Sequence, residues 1–113
     1  NWDTSNGTTF NRMFDRAFDF NQDISNFNFN AINVSSGLEL FMRGKTFNDY
    51  DAAYYDNLLI KWASSPSVGG LPVGVIGTID MGTIKYTSNG ASARASILAN
   101  NKALTINDGG QIW

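Results

Sequence analysis

The chain has 113 residues, 42% hydrophobic and 16% charged, with a net charge of −2. That is apolar material enough for one folded domain, while the eight Lys and Arg are scattered as singles, which excludes the clustered basic face that nucleic acid or an anionic membrane surface requires. The absence of cysteine and histidine removes disulfides, thiolate and imidazole metal sites and most nucleophile and base pairings. The longest strongly apolar run, Leu58 to Ile60, is far too short for membrane insertion. The chain opens with Asn1 and shows no signal peptide, as expected of a processed product, an expression product or a fragment of a longer chain.

In chain order, a first unit starts at Trp2. Ser5 or Asn6 can cap a short helix running through Phe14, with Phe10, Met13 and Phe14 on one face at spacings of three and four. A polar loop follows at Asp19 to Gln22, and Ile24 between Asp23 and Ser25 suggests a very short strand. A second unit begins at Phe27. Ser35 or Ser36 caps a helix whose buried face carries Leu38, Leu40 and Phe41, ended by Arg43 and Gly44. Residues 13–21, MFDRAFDFN, return at 40–48 as LFMRGKTFN, so Phe14, Arg16, Phe20 and Asn21 recur 27 residues later at Phe41, Arg43, Phe47 and Asn48. A match at such a period marks a repeat protein, whose units must stack to bury their apolar faces.

The pattern then changes. Asp49 or Asp51 caps a helix over about Ala52 to Ala63, with Tyr55, Leu58, Leu59 and Trp62 inward and Asn57, Lys61 and Ser64 outward. Ser64 to Gly70, with Pro66, stops it. Val73 to Met81 is rich in β-branched residues and reads as a strand ended by Gly82, with a short continuation at Ile84 to Tyr86. Asn89 and Gly90 introduce a helix over about Ala91 to Ala99, whose Ala91, Ala93 and Ala95 suit close approach to a sheet, and Asn100 and Asn101 suit left-handed caps. Ala103 to Asn107 alternates as a strand before the turn at Asp108, Gly109 and Gly110. Strand, helix and strand in this order predict a βαβ unit with a parallel pair.

The run WDTSNGTTFNRMFDRAFDFNQDISNF resembles the 25-residue repeat of BspA-type leucine-rich-repeat bacterial surface proteins. Trp2, Ser5, Asn6, Met13, Phe14, Ala17, Phe20, Asn21, Gln22, Asp23, Ile24 and Ser25 stand at the matching positions, while Gly7, Phe10 and Phe27 depart from it. The second copy keeps the FxRxxxFN core, and the tail from Tyr54 to Gly110 is similar to the segment that closes such arrays. The resemblance implies an extracellular, cell-surface or virion-surface solenoid used in adhesion, and it brings no catalytic residues.

Candidate chemistry is sparse. Asp49 with Asp51, or Asp15 with Asp19, are the carboxylate pairs nearest in sequence, and capping is their expected role rather than hydrolysis. Asn21 and Asp23 carry hard oxygen donors, but their spacing matches no calcium loop. Trp2, Trp62 and Trp113 could form a sugar-stacking platform, yet Trp2 and Trp62 fall at core positions. Gly69-Gly70 and Gly109-Gly110 lack the Lys-Ser/Thr of a phosphate loop. The expectation is one α/β domain: a short leucine-rich-repeat-like solenoid with a small parallel sheet, two repeats over 1–48 and a C-terminal βαβ cap over 49–113. Its expected role is non-catalytic, without cofactors, metal or an assignable ligand site. It would bind a protein or glycan on a host or neighbouring surface, or serve as a building block that contacts copies of itself in a filament or virion.

Overall fold

The computed structural model describes residue 10 and residues 13–32, 38–72 and 74–112. Its regular elements are helix α1 over Ala52–Ala63, a single 3-10 turn over Pro66–Val68, strand β1 over Gly77–Asp80, helix α2 over Ser88–Asn100 and strand β2 over Leu104–Asn107. The chain is thus a mixed α/β structure with a small parallel sheet, in which Gly77 pairs with Leu104 and Asp80 with Asn107.

α1 forms where its sequence pattern places it. Of the two cap candidates, Asp51 is the one used, with extended backbone and its Oδ1 accepting from the Ala53 N–H at 2.8 Å. Tyr55, Leu58, Leu59 and Trp62 are all buried. Ser64 leaves the helical region at φ −75°, ψ 169°, which ends the helix. α2 begins three residues earlier than expected because Thr87, rather than Asn89 or Gly90, supplies the cap, its Oγ1 accepting from the Asn89 N–H at 3.1 Å. Its small residues also serve a different neighbour. α2 packs mainly on α1, through Gly90 and Ile97, while Ala95 is exposed and Ala91 and Ala93 are half-buried. A Cβ at Gly90 would lie 2.6 Å from Asp56 Oδ1, so the close approach is between the helices and not to the sheet. Asn101 caps the end of α2, its N–H donating to the Ile97 carbonyl, but not in the expected left-handed conformation, since its φ is −132°. Its side chain is used as well, with Oδ1 accepting from the N–H groups of Gly74 and Val75.

The expected strand over 73–81 is trimmed to Gly77–Asp80, Val73 lying outside the described residues, and 84–86 adds only a single bridge from Tyr86 to Gln111. The expected alternation of β2 holds, with Leu104 and Ile106 buried and Thr105 and Asn107 exposed.

The first half differs most from expectation. Ser5, Asn6, Ser35 and Ser36, the proposed caps, lie outside the described residues, as do Trp2 and Trp113. Where the expected helices reach the described residues, at 13–14 and 38–43, the chain forms turns instead, which run on through 13–19 and 38–44. Arg16 and Leu40 take φ of 57° and 53°, left-handed values that interrupt a right-handed helix. Leu38, Phe41 and Met42 are buried while Leu40 is only half-buried, so the inward face shifts by one residue from the expected one. Ile24 is buried but sits in no strand, and a turn follows at 25–26.

Main-chain hydrogen bonds carry the parallel arrangement through the irregular half. The N–H groups of Phe14 and Arg16 donate to the carbonyls of Phe41 and Arg43 at 2.9 and 2.7 Å, that of Met42 to Asp80 at 2.8 Å, and that of Thr83 to Lys45 at 2.9 Å. Thr46 and Thr83 form a parallel bridge. Four segments, at 14–16, 41–46, 77–86 and 104–112, therefore lie side by side in chain order and in one direction.

Candidate binding surfaces

The junction between the first two segments is built by residues 25 to 30 positions apart. Arg43 grips Asp15 with two parallel bonds, Nε to Oδ1 at 3.0 Å and Nη2 to Oδ2 at 2.8 Å, the fork geometry that makes guanidinium and carboxylate specific partners. Lys45 is buried at 1% exposure, and its ammonium donates to the carbonyls of Ala17 and of Phe20, the latter at 2.5 Å. The rings of Phe20 and Tyr50 lie 5.6 and 5.7 Å from the same nitrogen, within cation–π reach. Burial pushes the Lys45 ammonium below its ordinary value, against the opposing pull of Asp49 and Asp19. Tyr50 donates to the Gln22 carbonyl at 2.7 Å, and Asn21 Oδ1 accepts from the Asp51 N–H at 2.9 Å. Burial, with the charge of Asp23 nearby, raises the Tyr50 phenol above its usual value.

A second polar centre sits where the helices meet the last strand. Asp108, 2% exposed at its side chain, accepts from Arg94 Nε at 2.9 Å and from the Tyr55 hydroxyl at 2.6 Å. Arg94 also donates to the Ile106 carbonyl at 3.0 Å and lies over the Tyr86 ring. Burial and the Asp108 charge hold the Tyr55 phenol well above its usual value. Burial alone would lower the Arg94 guanidinium, but bonding to Asp108 raises it. Asp56, buried at 4%, accepts from the N–H and the hydroxyl of Thr87. These groups are mutually satisfied, which is what a buried charge requires.

Candidate surfaces among the described residues include the following recesses. A groove of about 250 Å³ is lined by Phe14, Phe20, Ile24 and Phe27, with Gln22, Asp23 and Asn26. A shallower one of about 360 Å³ includes Ile60 and Val68, 49% and 60% exposed, with Asn57 and Lys61. A cleft of about 310 Å³ lies between Trp62 to Ser65 of the first helix end and Ile97, Asn100 and Asn101 of the second. The Trp62 indole N–H is buried without an acceptor among the described residues.

The residues singled out by sequence fall into structural roles. Asp51 caps α1, and Asp49 Oδ2 accepts from the Thr46 N–H and hydroxyl. Asp15 is held by Arg43, and Asp19 is exposed. Asp23 accepts from Ser25 N–H and Asn57 Nδ2; burial would raise its carboxyl, but these bonds outweigh burial and lower it. Asn21 is committed to Asp51. Among the described residues no group of three or more acidic side chains could hold a metal ion, and no helix is long and apolar enough to cross a membrane. Trp62 is buried at 2%. Gly69 takes φ +94° and Gly70 packs its Cα against the Ser64 carbonyl, so this pair turns the chain. A Cβ at Gly109 would strike the Thr83 carbonyl, so Gly109-Gly110 allows close packing. Lys45, Asp56, Arg94 and Asp108 were not singled out. A lone Lys or Asp in a turn carries no local sign of the partner that buries it.

Residues 1–62 match the model of a family described as Mycoplasma protein of unknown function, DUF285. No curated protein and no solved structure matches the chain.

Proposed function

The chain belongs to the DUF285 family, and on that membership together with the register of its stacked segments we propose that it is a non-catalytic, surface-exposed binding module: the closing part of a leucine-rich-repeat-like solenoid of the BspA kind, with residues 49–113 as its cap. The observation that carries this reading is the agreement of two independent periods. Sequence identity recurs at 27 residues between Phe14 and Phe41, and the main chain bonds at the same offset, from Phe14 to Phe41 and from Arg16 to Arg43. Gly77 and Leu104 of the parallel pair are again 27 apart. Stacked units of this sort present extended surfaces suited to binding partners. The ligand is expected to be a protein or glycan on a host or neighbouring surface, met outside the cell.

The exposed apolar pair Ile60 and Val68, rimmed by Asn57 and Lys61, favours a second reading, in which the domain is a building block contacting neighbouring subunits. The two readings separate in one set of measurements. Adhesion expects the isolated 113-residue chain to bind glycan arrays or host cells while remaining monomeric in analytical ultracentrifugation. Concentration-dependent association that Ile60→Asp abolishes, without glycan or cell binding, would replace adhesion by the building-block role.

A further inference from the structure

In the parallel pair Gly77 lies opposite Leu104 and Ile79 opposite Ile106, and the N–H groups of Gly77 and Met81 donate to the carbonyls of Ala103 and Asn107. In that register the odd-numbered residues of β2 bond β1, and both main-chain groups of Ile106 point the other way. β2 is the last strand of the sheet, so these groups lie on its outer edge, and no described residue bonds the Ile106 N–H. Nothing within the strand blunts that edge. Leu104–Asn107 reads LTIN, without charge or proline, and its outward side chains, Thr105 and Asn107, are exposed and neutral. Such an edge is a template for pairing with another chain.

Arg94 of α2 stands in the way. Its Nη2 donates to the Ile106 carbonyl at 3.0 Å, and an added strand running about 4.8 Å from β2 would pass through the space this guanidinium fills. A loose arginine could swing aside, but this one is held. Nε and Nη2 bind Asp108 Oδ2 and Oδ1 at 2.9 and 3.2 Å, and the guanidinium carbon lies 5.2 Å from the Tyr86 ring centre. Asp108 is fixed in turn by the Tyr55 hydroxyl at 2.6 Å and the Gly110 N–H at 3.0 Å. Moving Arg94 out would leave Asp108, 2% exposed at its side chain, without its countercharge. We propose that Arg94, clamped by Asp108, guards the outer edge of β2 against pairing with β2 of a second copy of this chain. In an antiparallel pair about a two-fold axis at Ile106, each Ile106 N–H would donate to the other's Ile106 carbonyl. That carbonyl is the acceptor Arg94 holds.

The test compares the full chain with Arg94→Leu/Asp108→Asn, which removes the guard together with its countercharge and leaves an acceptor for Tyr55. The unaltered chain should show an Ile106 amide whose hydrogen exchange does not depend on concentration. The double variant should form dimers in analytical ultracentrifugation as its concentration rises, and its Ile106 amide should slow by at least about tenfold in the dimer. Adding Thr105→Lys and Asn107→Lys, which face one another across the axis, should return it to monomer, because like charges directly opposite oppose pairing. Arg94→Lys keeps a countercharge for Asp108 but lacks the fork that spans carboxylate and carbonyl. It should dimerise as well, and it carries the test if the double variant does not fold. A variant with native near-ultraviolet circular dichroism that stays monomeric overturns the proposal. So does an unaltered chain that dimerises with its Ile106 amide protected.

Discussion

The rings of Phe14 and Phe41 meet at 78° with 5.5 Å between centroids, while the Phe14 N–H donates to the Phe41 carbonyl at 2.9 Å. Two residues 27 apart are thus joined by side chain and main chain at once. Both are buried, at 6% and 0% exposure. Either Phe→Ala substitution should cost about 3–5 kcal/mol. Because the rings touch, the double substitution should cost less than the sum by about 0.5–1.5 kcal/mol. Urea unfolding of the four variants measures the coupling, and strict additivity would mean that the two rings do not support one another.

Asp108 is the acceptor for both Tyr55 and Arg94. Asp108→Ala should destabilise by about 3–5 kcal/mol, because it strands a half-buried guanidinium and a buried hydroxyl. Arg43→Ala, which opens the more exposed pair with Asp15, should cost far less, near the surface range of up to about 1 kcal/mol. Chemical denaturation that ranks the two in the reverse order would refute this division between a buried and a surface pair.

Gly90 lies inside α2, where alanine is favoured over glycine by about 1 kcal/mol. Its Cβ would meet Asp56 Oδ1 at 2.6 Å, Asp56 Cα at 3.1 Å and Leu59 at 3.2 Å. Gly90→Ala should therefore lower the melting temperature despite the better propensity. A rise would show that the helices separate easily.

Alkaline stability follows from three groups. Tyr50 and Tyr55 sit above the ordinary phenol value of 10.0, so in that range the native chain keeps protons the unfolded chain has lost. Their contribution is complete below pH 10 and is lost as the pH rises above it. Lys45 sits below the ordinary 10.5, so the unfolded chain binds more protons just under that value, and this group alone would raise stability as the pH approaches it. Two phenols against one ammonium give net loss above about pH 10. Tyr50→Phe should flatten that loss, read as unfolding free energy from pH 8 to 11.5, and an unchanged slope would remove Tyr50 as a cause.

Helix α1 was legible because its information is local: an Asp51 cap, apolar residues at three and four spacings, and Pro66 beyond the end. The alternation of Leu104 and Ile106 was legible for the same reason. Of the two helices expected in the first half, only the ends at 13–14 and 38–43 fall among the described residues, and these form turns, because Phe and Leu at helical spacing also suit successive turns; left-handed Leu40 decides for the second. Nothing in a non-glycine residue announces that conformation. The recurrence of Arg16 at Arg43 also conceals a difference. Arg43 reaches back to Asp15, while the Arg16 stem lies beside Gly44, where a Cβ would sit 3.0 Å from it. The polar centres at Lys45 and Asp108 were invisible because each depends on partners far away in the chain, Tyr55 being 53 residues from Asp108.

The order in which the segments lie side by side is also the order in which a ribosome delivers them. The bonds from 14–16 to 41–43, with Lys45 reaching back to Ala17 and Phe20, need nothing from the second half of the chain. The first junction can therefore close while the helices are still being made, at the slow rate expected of parallel pairing between groups 25 to 28 residues apart. Asp108 emerges after both helices, and only then can Arg94 and Tyr55 find their acceptor. Synthesis that stopped before it would leave a stack already begun, with a half-buried guanidinium and a buried hydroxyl lacking their acceptor.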